Sequence, residues 1–148
     1  MIYILRKLKY IIGFYFLSFT WGILMTIAGY LVAAGLLVTK HKPHRWGGCI
    51  YFIVGEKWGG VNIGPVFLTD SSDSVHTKNH EHGHAWQNCF FGPLMPIIVG
   101  IPSMFRYHYR KWLVRTGRKK QSELPDYDSV WYEGQATKLG NKYMIFWK

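Results

Sequence analysis

The sequence predicts an α+β membrane protein: one N-terminal transmembrane helix, then a small domain with a short β-hairpin or sheet and two further helices. Three observations carry this. Residues Tyr10–Val38 run for 29 positions without Asp, Glu, Lys, Arg or His. Residues Gly48–Asp70 alternate β-branched and aromatic runs with glycine-rich turns. Two later stretches, near Ser74–Phe91 and Asp126–Tyr143, carry helix signals. On this reading residues 1–45 are a membrane anchor and residues 46–148 a separate domain. The 18% aromatic content excludes a disordered chain. Two cysteines, Cys49 and Cys89, make neither a disulfide framework nor a C-x-x-C pair.

The anchor follows from length. As a helix, Tyr10–Val38 would span roughly 43 Å against a hydrocarbon core of about 30 Å. That suffices for one crossing and falls short of two. It is about twice the apolar region of a cleavable signal peptide. Within it Ser18, Gly22, Thr26, Gly29 and Ala33 recur at helical spacing. Small residues in such a stripe let a second helix approach closely. The partner is either the protein's own body or a second copy, which would make a homo-oligomer.

Charge gives the surroundings. Lys and Arg number 18 against 8 Asp and Glu. Arg6, Lys7 and Lys9 on one side of the anchor balance Lys40, Lys42 and Arg45 on the other, so the positive-inside rule ties. Arg106–Lys120 adds seven bases and no acid, interleaved with Phe105, Tyr107, Tyr109 and Trp112. This pattern suits anionic headgroups at a bilayer surface, and it places the body on the cytoplasmic side. No nucleic-acid-binding motif accompanies the charge, so nucleic acid is not an expected partner.

Cys49–Val54 and Val61–Leu68 read as two strands joined by the turn-rich Gly55–Gly60. Pro65 lacks an amide donor and points to an edge strand. The polar run Thr69–Thr77 supplies caps for a helix that stops at Gly92-Pro93. Phe90–Phe105 is uncharged but broken by Gly92, Pro93, Pro96, Gly100 and Pro102. Those breakers exclude a straight spanning helix. They leave a membrane-dipping segment or a buried connection. Thr116–Pro125 is a basic, polar loop, and Val130, Trp131, Ala136, Leu139 and Tyr143 give the last helix its period.

The chemistry lies in His80-Glu81-His82-Gly83-His84, an H-E-x-x-H match. Four residues apart on a helix, His80 and His84 project from one face and can share one Zn²⁺. Glu81 is then placed to act as general base on water activated by the metal. Gln87, seven residues after His80, shares that face and is a candidate to orient a ligand imidazole. A catalytic zinc needs a third protein ligand. Glu133 is the best candidate, with Ala136 three residues on to permit close helix packing; Asp126 and Asp128 are alternatives. His76 or Asp128 as a fourth ligand would instead close the site as a structural one. Tyr127, Tyr132, Tyr143 and His108 are candidate oxyanion donors. His76, Asn79 and His82 are equally readable as solvent-facing.

HEHGHAWQ followed by YEGQA resembles the gluzincin class of zinc metallopeptidases. The longer pattern WGGVNIGPVFL…HEHGHAWQNCFFGPLMPIIVGIPS…YDSVWYEGQATKLG resembles a family of small bacterial membrane proteins of uncharacterised function. The resemblance implies a zincin-like domain in the bacterial cytoplasmic membrane, with His80, His84 and Glu133 as zinc ligands and Glu81 as base. The large catalytic domain of better-known gluzincins is missing, and so is a downstream His or Tyr motif for the oxyanion. The function expected is a membrane-anchored zinc metallohydrolase, a peptidase acting on peptide or membrane-protein substrates near the bilayer. The alternative is a non-catalytic membrane interaction protein with a structural metal site.

Overall fold

A computed structural model of the chain describes residues 2–147. It is a small mixed α/β domain: helices packed on both faces of one four-stranded sheet. In chain order these are α1 (Ile2–Phe19), α2 (Ile23–Val38), β1 (His44–Trp46), β2 (Cys49–Ile53), β3 (Gly60–Ile63), β4 (Val66–Thr69), α3 (Val75–Phe91), α4 (Ile101–Arg115) and α5 (Trp131–Tyr143).

The expected single transmembrane helix is overturned. Tyr10–Val38 is divided between α1 and α2, bent by 86° at the residues between them. Among the described residues no single helix is long and apolar enough to cross a membrane. The corner has a physical cause. The Thr20 hydroxyl donates back to the Phe16 carbonyl at 2.6 Å, and the Gly22 N–H reaches the Leu17 carbonyl at 2.7 Å. These bonds satisfy carbonyls that would otherwise continue α1. The corner is then tied to α3. Asn88 Nδ2 donates to the Gly22 carbonyl and Trp21 Nε1 to the Phe90 carbonyl, each at 3.3 Å. A Cβ on Gly22 would come within 2.5 Å of Asn88 Nδ2, so the approach requires glycine.

The small-residue stripe faces the protein's own body. Ser18 and Thr26 are buried, the Thr26 hydroxyl donates to the Ser18 carbonyl at 2.6 Å, and Ala33 packs against Phe52 and Val66. The backbone of Gly29 lies against the Ile63 carbonyl.

The strand order is β1-β2-β4-β3. β2 and β4 are parallel at the centre, while β1 and β3 are antiparallel edges. Two-residue alternation explains the layers. Cys49, Tyr51 and Phe67 point to one face and join Phe14, Ala85, Trp86 and Cys89. Phe52 and Val66 point to the other, against Ala33 of α2. Both cysteines are buried free thiols. Pro65 does not mark an edge strand. With Gly64 it forms the two-residue turn of the β3–β4 hairpin, and β4 is internal.

Helix α3 runs through the middle. Ser74 caps it, accepting from the Thr77 N–H. From His80 to Cys89 every residue is buried, although most are polar. Beyond α3 the chain bends by 117° into α4. Of the uncharged segment between, Met95 and Val99 are buried, while Phe90, Leu94, Ile97, Ile101 and Phe105 are exposed. The segment is therefore core on one side and bare apolar surface on the other.

Candidate metal centre

α5 lies so close along α3 that their backbones touch. A Cβ on Gly83 would overlap the Ala136 carbonyl, and one on Gly140 would overlap the Asn79 carbonyl. This seam delivers Glu133 to the histidines. Its side chain is fully buried. Glu133 Oε2 lies 3.1 Å from His80 Nε2 and 3.2 Å from His84 Nε2, and the two Nε2 atoms are 3.1 Å apart. Ligand atoms that each sit about 2.0–2.2 Å from a common ion at tetrahedral angles are separated by roughly 3.3–3.6 Å, so these three atoms need spread by only a few tenths of an ångström to take one. These three residues are the one His/Cys/Asp/Glu group of that kind among the described residues, and they could hold a metal ion.

The outer nitrogens explain which way the rings face. His80 Nδ1 lies 2.8 Å from the Thr137 hydroxyl, which donates to Asp128 Oδ2 at 2.7 Å. His84 Nδ1 lies 2.7 Å from Gln87 Oε1. Gln87 is fixed in turn, its Nε2 donating to the Tyr132 carbonyl at 2.8 Å and to Gln135 Oε1 at 2.9 Å. With no proton to give, Gln87 Oε1 assigns the His84 proton to Nδ1. Thr137 spends its own proton on Asp128 and so does the same for His80. Both Nε2 lone pairs then point at a carboxylate oxygen. Three acceptors facing one another in a buried site are stable only around a cation.

Without a metal, the surroundings favour a proton on His80 at that point. Burial opposes charge on His80, but the hydrogen bond to Glu133 and the charges of Glu81, Glu133 and Asp128 outweigh it and raise its pKa. Burial likewise works to raise the Glu133 pKa, yet the hydrogen bonds from His80 and His84 hold it well below the usual carboxylate range.

Glu81 borders a cavity of about 540 Å³ together with His80 and His84. It is buried, and its Oε2 has no hydrogen-bond partner among the described residues. Burial raises its pKa, against the pull of His84 and His80. Its main-chain carbonyl accepts from Asn62 Nδ2 at 3.0 Å, which ties α3 to the edge strand β3. Gly60, Val61 and Asn62 of that strand form one wall, and Met95, Val99 and Ser103 form another.

The remaining candidates separate. Asp128 acts behind His80 through Thr137, its own oxygen being 3.8 Å from His80 Nδ1. His76 lines the cavity, but its ring centre is 6.4 Å from that of His80. Tyr127 and His108 line the cavity. Tyr143 does not contribute: it stacks on Trp86 in the core at 4.2 Å. Tyr132 offers only its carbonyl, to Gln87. His82 is wholly buried against Phe14 and Trp147 and does not face solvent, while Asn79 is half-buried and bonds to Trp46 and Asn141. Thr137 is the residue sequence reasoning missed. Its signal is position, four residues after Glu133 and hence on the same face of α5. Comparison with known proteins finds no matching family model, no similar curated protein and no similar solved structure.

Proposed function

We propose that the protein is a zinc-dependent hydrolase, a peptidase of the gluzincin kind, working at a membrane surface. One observation carries the reading: two imidazoles with assigned outer protons and one buried carboxylate converge on a point bordered by Glu81. Two histidines and a carboxylate with a fourth position open are a catalytic zinc set. A structural site would carry a fourth protein ligand, and the described residues offer none beside these three.

Zinc bound by His80, His84 and Glu133 supplies Lewis acidity and brings the pKa of water near 7. The residues around it divide the other tasks. Glu81, with a free Oε2 and a raised pKa, takes a proton from water and returns it to the leaving amine. Burial above all pushes the Tyr127 hydroxyl up to about 12, so it stays a neutral donor for a developing oxyanion. β3 pairs with β4 along one side, which leaves the other edge to bind an extended peptide beside the cavity.

The membrane part rests on α4. Ile101, Met104, Phe105, Tyr109 and Trp112 fall on one side of this helix, and all are exposed, Phe105 at 70%. The helix has no buried residue. An exposed apolar stripe flanked by Lys111 and Arg115 suits an in-plane helix at anionic headgroups, which needs no spanning segment.

The deciding experiment is Glu81→Gln. The variant should keep its metal and lose peptide hydrolysis. Retained metal with unchanged hydrolysis would remove Glu81 from the mechanism.

A further inference from the structure

A second cavity, of about 530 Å³, adjoins the metal cavity and shares Trp58, Tyr107 and Tyr127 with it. Its character is different. Lys57, Arg110, Lys111 and Arg115 line it, and no acidic side chain does. Among the described residues none of these four lies within ion-pair distance of a carboxylate.

Two of the cations are held in place by neutral groups. Lys111 Nζ donates to the Tyr107 hydroxyl at 2.8 Å, and Arg110 Nη1 donates to the Pro125 carbonyl at 2.6 Å. The Arg110 guanidinium also sits 5.5 Å over the Tyr127 ring. Lys57 occupies a left-handed backbone position, φ 56°, which a side chain with a Cβ disfavours. Four like charges around one cavity repel, and the walls focus their field into it. Such a cavity is suited to a compact anion.

We propose that this basic cavity is an oxyanion subsite of the metal centre, which takes a carboxylate at the end of a peptide whose apolar part lies in the metal cavity. That this peptide is a substrate rests on the hydrolase reading; its binding does not. One cavity is walled by Met95, Val99 and Met104, the other by four cations, and Trp58, Tyr107 and Tyr127 form the boundary. A ligand filling both is apolar at the metal and anionic beyond it.

The test is calorimetric binding of N-acetyl-leucyl-leucine and of its C-terminal amide to metal-loaded Glu81→Gln protein, which should leave both peptides uncut. The acid should bind about tenfold tighter than the amide, roughly 1.4 kcal/mol. Added salt should shrink that preference. Lys57→Glu combined with Arg115→Glu, both at exposed positions, should abolish it and leave amide binding unchanged. The preference should persist in His80→Ala, because the carboxylate is not on the metal. Equal binding of acid and amide overturns the subsite. So does a preference that survives the double charge reversal, or one that vanishes in His80→Ala. All three readouts are independent of hydrolysis, so a catalytically silent protein can still pass or fail.

Discussion

The backbone of Gly83 lies directly against the carbonyl of Ala136, so that a single methyl group at Gly83 would overlap that oxygen. Gly83 is an unassigned position of the H-E-x-x-H pattern, and here it has a task. It lets α5 come close enough for Glu133 to reach His80 and His84. Gly83→Ala should therefore cost about 3 kcal/mol or more, since two backbones must separate. It should also weaken metal binding. Gly13→Ala is the contrast: nothing lies within 4 Å of a Cβ there. In mid-helix that exchange should gain about 0.5–1 kcal/mol. Urea unfolding of both variants checks the pair.

The outer contacts of the ligands should control affinity. Thr137→Val removes the link from His80 to Asp128, and Gln87→Ala removes the acceptor of His84 Nδ1. Each should lower zinc affinity by about 10–100-fold, less than His80→Ala or Glu133→Ala. Chelator competition measures all four. Equal affinities for Thr137→Val and wild type would show that the relay does not orient the ring.

Acid should expel the metal. The His80 pKa lies above its ordinary value in the metal-free protein, so metal competes with a proton there to a higher pH than at a free imidazole. Affinity is full above that raised pKa. Below it, affinity should fall about tenfold per pH unit for each proton displaced. A pH series of zinc titrations, with proton release measured in two buffers, gives the slope.

His82 gives a separate pH dependence. Burial lowers its pKa from the ordinary 6.5 to about 4, and neither ring nitrogen has a hydrogen-bond partner among the described residues. The unfolded chain binds a proton first as pH falls. The stabilising contribution is thus whole above pH 6.5 and drains away towards pH 4, at about 1.4 kcal/mol per unit at most. His82→Leu should flatten the stability profile in that window relative to wild type, as read by denaturant midpoints.

The α4 stripe predicts in-plane membrane binding. Phe105→Glu with Tyr109→Glu should reduce binding to vesicles containing phosphatidylglycerol by about tenfold or more. Metal content should not change. Flotation of wild type and variant with these vesicles decides it, and equal flotation would place the contact elsewhere.

Much of the site was legible because its signals are local. Four-residue spacing put His80 and His84 on one face, Ser74 and Gly92 bounded α3, and the period of α5 carried Glu133. Gln87 followed from the same face. The corner at Gly22 was not legible, because Asn88 and Trp21 hold it through contacts between segments almost seventy residues apart. Hydropathy over Tyr10–Val38 is the same whether that stretch is straight or bent. β1 is three residues long and pairs only with β2, too short to leave a pattern. α4 was obscured by its prolines, which fall in the π-helical turn before it and in its own first turn, where a missing N–H does no harm. His82 looked like one more polar residue on a histidine-rich helix. That a polar helix should be buried all round could not be read from polarity itself.

The close seam between α3 and α5 also sets an order of assembly. As the chain leaves the ribosome, His80 and His84 emerge 53 and 49 residues before Glu133. Until α5 docks, His80 and His84 lack their carboxylate and α3 is left with its polar groups uncovered. Metal-binding competence therefore arrives with the closing of the domain, and a nascent or truncated chain cannot hold the three-ligand centre.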